Sequence, residues 1–174
     1  MIDFLDIGYL ETGSESQRKA FTVLSESRVL ERLCEFDPVL IGTFPIGIAV
    51  ESSDLDVACH FGDKSEFILK LQSEFSDFAQ FGIRDFVLDG LETVVCNFVF
   101  SGFEFEIFGQ PIAVTSQMGY RHMVVEHRIL LEKGEDFRNE IIGLKNSGLK
   151  TEPAFAVLLG ILGDPYLGLL DFEV

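Results

Sequence analysis

Two dipeptides, Asp89-Gly90 and Ser101-Gly102, constrain the fold of this chain more than any other feature of its sequence. They separate three strand-like runs, residues 83–88, 93–100 and 103–108. Both are hairpin-turn pairs, since a two-residue turn needs positions that tolerate positive φ. Three strands joined so tightly are antiparallel neighbours. The middle of the chain is therefore a β-meander, and the flanking segments must pack on it or extend it.

Upstream, apolar residues recur at helical spacing over 15–36 (Ala20, Phe21, Leu24, then Val29, Leu30, Leu33), which predicts two short helices or one kinked helix. Asp37-Pro38 ends that pattern, because the residue before proline is pushed out of the α region. Residues 38–41 then form a short apolar strand ending at Gly42, and residues 54–61 a second strand. Asp63 to Glu66 has the form of a capping box opening a helix that runs to about Phe78. After Gln110-Pro111 the texture turns helical, over residues 116–132, 135–146, 152–162 and 166–170. Thr151 is the expected N-cap of the third of these, with Pro153 in its first turn. The expected organisation is a helix-strand-helix-sheet unit over residues 1–112 and a helical segment packed on it over 113–174.

The 174 residues, 47% hydrophobic with 18 Phe, suffice for one domain with a proper core or a domain with a helical extension. A formal net charge of −16 repels phosphate backbones and argues against long nucleic acid as a partner. An acidic surface of this kind also simply keeps a Phe-rich protein in solution. Cys34, Cys59 and Cys96 are widely spaced in apolar sequence and read as reduced core residues, with no Cys/His spacing for zinc. The opening MIDFLDIGYLETG carries acids where a signal peptide needs a basic region, and the longest apolar run, 154–163, is far short of the ~20 residues of a membrane span. A cytoplasmic location away from membranes is expected.

Residues 40–61, LIGTFPIGIAVESSDLDVACHF, raise the chemical question. Strand residues two apart share a face, so Asp54 and Asp56 lie together while Leu55 and Val57 pack opposite. Either the two are solvated acids at a strand start, or their repulsion recruits a divalent cation. FEFEIFG places Glu104 and Glu106 on one face of a later strand. If that strand lies beside the first, a third carboxylate joins the pair, and three acids around one point can hold the two ions of a phosphoryl or nucleotidyl transfer. Gly42 lets the backbone approach a phosphate closely, and Thr43 adds a hydroxyl.

Gly42-Thr43, a gap of ten residues, Asp54-Leu55-Asp56, and a later Glu before Ile-Phe-Gly together resemble the signature of the polymerase-β-like nucleotidyltransferase superfamily. The resemblance spans residues 39–109. Together with YRHM and KTEPAFA, the wording is also similar to a family of stand-alone bacterial proteins of unknown function within that superfamily. It implies an α/β (α+β) fold: a mixed, largely antiparallel nucleotidyltransferase-type sheet flanked by helices, with a C-terminal helical segment. It also implies Asp54, Asp56 and Glu106 as the metal-binding and catalytic carboxylates, Mg²⁺ or Mn²⁺ as cofactor, and Gly42 and Thr43 at the nucleotide; Ser53 is a further candidate there. Glu104 is then a solvated neighbour. Two departures stand out. Thr43 replaces Gly or Ser of the pattern, and FPIGIAVESS, with Pro45 and Gly47, favours a loop where many members begin a helix.

In the helical segment Arg121 and Arg128 are seven residues apart and so share a face. They are candidates for nucleotide phosphates, or for bridging the acidic surface of their own fold. Lys150, at the start of a helix, is a third candidate phosphate ligand, and Phe44 a candidate for stacking on a base. The functional expectation is a Mg²⁺-dependent transfer of a nucleoside monophosphate from a nucleoside triphosphate to a small-molecule or protein acceptor. The alternative is a non-catalytic nucleotide-binding or regulatory module, toxin–antitoxin-like, with the same fold.

Overall fold

The computed structural model describes residues 2–172; Met1, Glu173 and Val174, included in the predicted end segments, lie outside the described residues. The meander forms as the turn chemistry requires. Strands β3 (Ala79–Leu88), β4 (Leu91–Phe100) and β5 (Phe103–Gln110) are antiparallel neighbours. Their turns hold Asp89, Gly90, Ser101 and Gly102 at φ 51°, 81°, 48° and 81°. β2 (Leu55–His60) then pairs in parallel with β5, and β1 (Val39–Ile41) lies antiparallel to β2 at one edge. The sheet order is β1-β2-β5-β4-β3. This is the mixed, mostly antiparallel α/β sheet of a nucleotidyltransferase-type fold.

Alternation along the strands gives the sheet two different faces. Leu55, Val57 and Cys59 of β2, Phe105 and Ile107 of β5, and Val94, Cys96 and Phe98 of β4 pack one dry core with helices α1 (Glu15–Ser27) and α3 (Lys64–Phe75). Phenylalanine fills it by stacking: Phe98 lies 4.8 Å from Phe75 and 4.9 Å from Phe105, with interplanar angles of 9° and 10°. Offset stacks of this kind add about 0.5–1.5 kcal/mol beyond the area they bury. The N-terminal region resolves into two short helices: Arg28, at φ 55°, breaks α1 from α2 (Val29–Arg32). Asp63 caps α3 by accepting from Ser65 N and Glu66 N at 2.7 and 3.0 Å, so the N-cap half of the expected box forms. The helix stops at Phe75 rather than Phe78, where a turn with Phe78 N bonded to Phe75 O at 3.0 Å leads into β3.

The other face is covered at its β1-β2 side by α4 (Met118–Asn146), α5 (Thr151–Leu159) and α6 (Pro165–Leu170). Gly134, at φ 80° and ψ −169°, interrupts α4 where the sequence predicts a break between two helices. Lys150, not Thr151, is the N-cap of α5; Thr151 is already helical. Ile41, Ala58, Met123, Leu130, Ile141 and Phe155 form this second core. Among the described residues no helix is long and apolar enough to cross a membrane. Of the cysteines, Cys59 and Cys96 are buried, but Cys34 is exposed on a short 3-10 turn, contrary to its expected core position.

Candidate functional site

The parallel pairing of β2 with β5 brings the acids together. Asp56 and Glu106 are register partners on adjacent strands, and Asp54 lies just ahead of β2, which begins at Leu55 rather than at residue 54. All three line one cavity of about 610 Å³, a volume suited to a small ligand. Ile41 of β1 is the register partner of Asp56 on its other side, so the chain leaves β1 at Gly42 directly beside the acids. Gly42 has φ 77°, and a Cβ there would collide with the Asp56 carboxylate. Only glycine meets both demands. Glu104, on the same strand face as Glu106, is exposed and lines a separate depression with Phe103 and Ser52.

Gly42, Thr43 and Ser53 also line the acid-bearing cavity. The segment 44–53 is a loop, as its Pro and Gly content predicts, and it is held from outside. Gln17 Nε2 donates to the Phe44 and Pro45 carbonyls at 3.0 and 3.1 Å, and Arg138 Nη1 donates to the Ile46 carbonyl. Ser53 closes the loop, with its Oγ accepting from Val50 N at 3.0 Å and its N donating to Val50 O at 2.9 Å. Phe44 does not face a ligand: it is buried in the first core, 6.1 Å from Phe103. The apolar ring is worth more there than at a wet cavity mouth.

The opposite wall is helical. Gly119, His122, Met123 and Glu126 recur at the spacing of one helix stripe and line the cavity from α4, facing Lys145, Lys150 and Glu152. A straight helix would set Glu126 and Lys145 about 28 Å apart. The break at Gly134 turns the chain back so that both reach one cavity. Gly119 allows the close seating of α4 on β1, since a Cβ there would stand 2.7 Å from Ile41 Cδ1. His122 ties three helices together: its Nε2 donates to the Tyr166 carbonyl at 3.0 Å, and its Nδ1 lies 3.8 Å from Glu152 Oε1.

The electrostatics are those of an acid-rich enclosure. Burial, then the charges of Asp54 and Glu106, hold the Asp56 carboxyl well above the usual carboxylate range, although Asp56 keeps some surface open to the cavity. Glu126 is 3% exposed, and burial, reinforced by Glu152, pushes it to about 8. Burial also pulls the Lys145 ammonium down to about 8 against the opposing pull of Glu126 and Asp56. Glu106 is steadied from β4, where Asn97 Nδ2 donates to Glu106 Oε2 at 3.3 Å. The oxygen-only donors Asp54, Asp56 and Glu106 suit a hard divalent cation in kind. As placed, among the described residues, no three acid, His or Cys side chains converge tightly enough to form a ready metal group.

Two expected nucleotide ligands fall elsewhere. Arg121 and Arg128 are exposed and outside the cavity lining; Arg121 Nη1 rests 3.7 Å from Met118 Sδ. α4 turns its Gly119–Glu126 stripe inward, and the arginine stripe therefore faces solvent. Lys150 does line the cavity, and Lys145, Glu126 and Glu152 join it without a sequence motif to announce them. The one signal available was Gly134, whose break permits the return of the second half of α4.

No functionally curated protein matches the chain in sequence. Among solved structures, the Cid1 poly(U) polymerase in its MgGTP-bound form superposes with a TM-score of 0.55 at 12% identity, over 76% of this chain and 42% of that one. A chain of the GLD-2/RNP-8 complex gives 0.54 at 12% identity, over 88% of this chain and 61% of its own. The chain thus spans about two-fifths to three-fifths of these chains, and the likeness is one of fold. A family described as Domain of unknown function (DUF4269) matches residues 22–172. The chain belongs to that family, on a nucleotidyltransferase-type fold that gathers three sheet carboxylates beneath a helical wall.

Proposed function

We propose that the protein transfers a nucleoside monophosphate from a nucleoside triphosphate to a hydroxyl of a small-molecule or protein acceptor. The observation that carries this reading is the side-by-side placement of Asp56 and Glu106 on parallel strands, with Asp54 at the same mouth and Gly42-Thr43 adjoining. Asp54 and Asp56, with Glu106, would hold Mg²⁺ or Mn²⁺; a buried Asp56 crowded by two acids is the kind of donor a cation relieves. When bound, such ions supply Lewis-acid stabilisation of the charge on the transferring phosphoryl group.

The chain's own residues do the rest. Gly42, Thr43 and Ser53 border the phosphates from the loop, and Lys145 and Lys150 offer positive charge from the helices. The acceptor oxygen bonds to the α-phosphorus while the bond from that phosphorus to the bridging oxygen breaks. Pyrophosphate leaves with the electron pair, and Glu106 takes the acceptor's proton.

The test uses α-³²P- and γ-³²P-labelled ATP, GTP, CTP and UTP with Mg²⁺. Label from the α but not the γ position should reach an acceptor, and both Asp54→Asn and Asp56→Asn should abolish it. Absence of metal-dependent nucleotide binding in the wild type would sink the reading. A non-catalytic nucleotide-binding or regulatory module is the second reading. It is favoured by the lack, among the described residues, of a tightly converged carboxylate group and by Lys145, whose charge already acts on Asp54 and Asp56. Nucleotide binding without α-label transfer to any acceptor would support it.

A further inference from the structure

The cavity holds more acid than a metal-nucleotide complex accounts for. Among the described residues, Asp54, Asp56, Glu106, Glu126 and Glu152 share the cavity with Lys145 and Lys150, besides His122. A nucleoside triphosphate with two divalent ions brings about as many positive as negative charges, so that complex leaves no cation over for the carboxyls of the helical wall. Two of the five acids, Glu126 and Glu152, stand on the helical wall, away from the strand carboxylates assigned to metal.

Glu126 is the sharper observation. Its side chain lines the cavity at 3% exposure, and among the described residues it forms no side-chain hydrogen bond and no ion pair. Its carboxyl therefore faces the cavity space rather than a protein donor. It sits on the inward stripe of α4, two turns or about 10 Å beyond Gly119, which is seated on β1. Glu152 extends the acidic wall from α5.

We propose that the acceptor is a polar small molecule carrying one or more ammonium groups near its reactive hydroxyl, and that Glu126, with Glu152 beside it, binds the ammonium. This rests on the transferase reading for the word acceptor, but the binding claim is separately measurable. The site then divides by charge: phosphates and metal lie between the strand acids and the lysines, and the cationic acceptor against the helical acids. A net charge of −16 on the whole chain draws the same class of molecule and repels an RNA acceptor.

The experiment is calorimetric titration of the full chain, with and without Mg²⁺ and α,β-methylene-ATP. The probes are 2-deoxystreptamine and its ring-matched neutral counterpart, myo-inositol. The diamine should bind at least tenfold more tightly than the inositol. Glu126→Gln, isosteric and uncharged, should erase most of that difference, while Glu104→Gln, outside the cavity, should leave it intact. The wild-type diamine-to-inositol ratio needs no variant, so a misfolded Glu126→Gln would not shelter the proposal. Equal affinity for the two cyclitols, or binding of neither, overturns it, as does α-label transfer to a short oligonucleotide but not to the diamine. Failure of the methylene-ATP to bind while the amine preference persists would instead strike the transferase reading alone.

Discussion

The two walls of the cavity are built by different rules. The sheet wall places Asp54, Asp56 and Glu106 by strand alternation and by one parallel register, so each acid has an apolar neighbour anchoring it in the dry core beneath. The helical wall places Glu126, Lys145 and Glu152 by a glycine break and by the packing of three helices. The first wall is set by backbone register, which aligns Glu106 of a distant strand with Asp56. The second depends on a helix break and on side-chain packing, and its charges act across the cavity on the first.

If the sheet wall is where bond-making occurs, Asp56→Asn should cut α-label transfer by about 10³-fold or more. It should also raise the melting temperature at pH 7, because the folded state disfavours the ionised Asp56 that asparagine removes. A variant that loses activity and melts lower would mean Asp56 is structural. On the helical wall, Lys145→Met should weaken nucleotide binding about tenfold in a direct titration. Unchanged binding would confine Lys145 to compensating its acidic neighbours.

The pH dependence of stability separates the walls further. The Glu126 carboxyl is raised from 4.5 to about 8, so the folded state binds more protons than the unfolded one between those values. Its contribution is present below about 4.5 and is lost as pH rises through about 8. Lys145 is lowered from 10.5 to about 8, so its contribution is present above 10.5 and is lost as pH falls through about 8. Urea midpoints should therefore fall for wild type relative to Glu126→Gln between about pH 5 and 8. A flat difference would show Glu126 to be solvated.

Smaller effects follow at the hinge and on the surface. Gly134→Ala must place a side chain at φ 80°, costing about 1–2 kcal/mol and loosening the approach of Lys145 to Glu126. An unchanged urea midpoint would show that the break does not depend on glycine. Arg121→Ala and Arg128→Ala should change stability by less than about 0.5 kcal/mol and nucleotide affinity less than twofold, since both side chains are exposed outside the cavity. A large loss of nucleotide binding in either would return the arginine stripe to the site.

Much of the sheet wall is legible in the residues themselves. Asp89-Gly90 and Ser101-Gly102 specify hairpins because their backbones take positive φ, and period-two alternation puts Asp54 with Asp56 and Glu104 with Glu106. Spacing alone does not separate Glu104 from Glu106, which share a strand face; the resemblance singled out Glu106, and in the structure only Glu106 opposes Asp56 while Glu104 reaches solvent. The loop 44–53 reads correctly as non-helical from Pro45 and Gly47. What orders it comes from Gln17 and Arg138, 27 and 92 residues away in their bonds to Phe44 and Ile46.

The helical wall resisted the same reading for a physical reason. Periodicity says which residues share a stripe of α4, but not which stripe meets the sheet, and two arginines look as suited to phosphate as two lysines. The amino-acid order alone determined the meander, the paired aspartates and the apolar alternation that seats them, because these follow from backbone geometry over a few residues. Tertiary structure decided that Glu126 and Lys145 share a cavity while Arg121 and Arg128 face water. That choice depends on a reversal at Gly134 and on helix packing against β1, and burial, not local spacing, sets which charges meet.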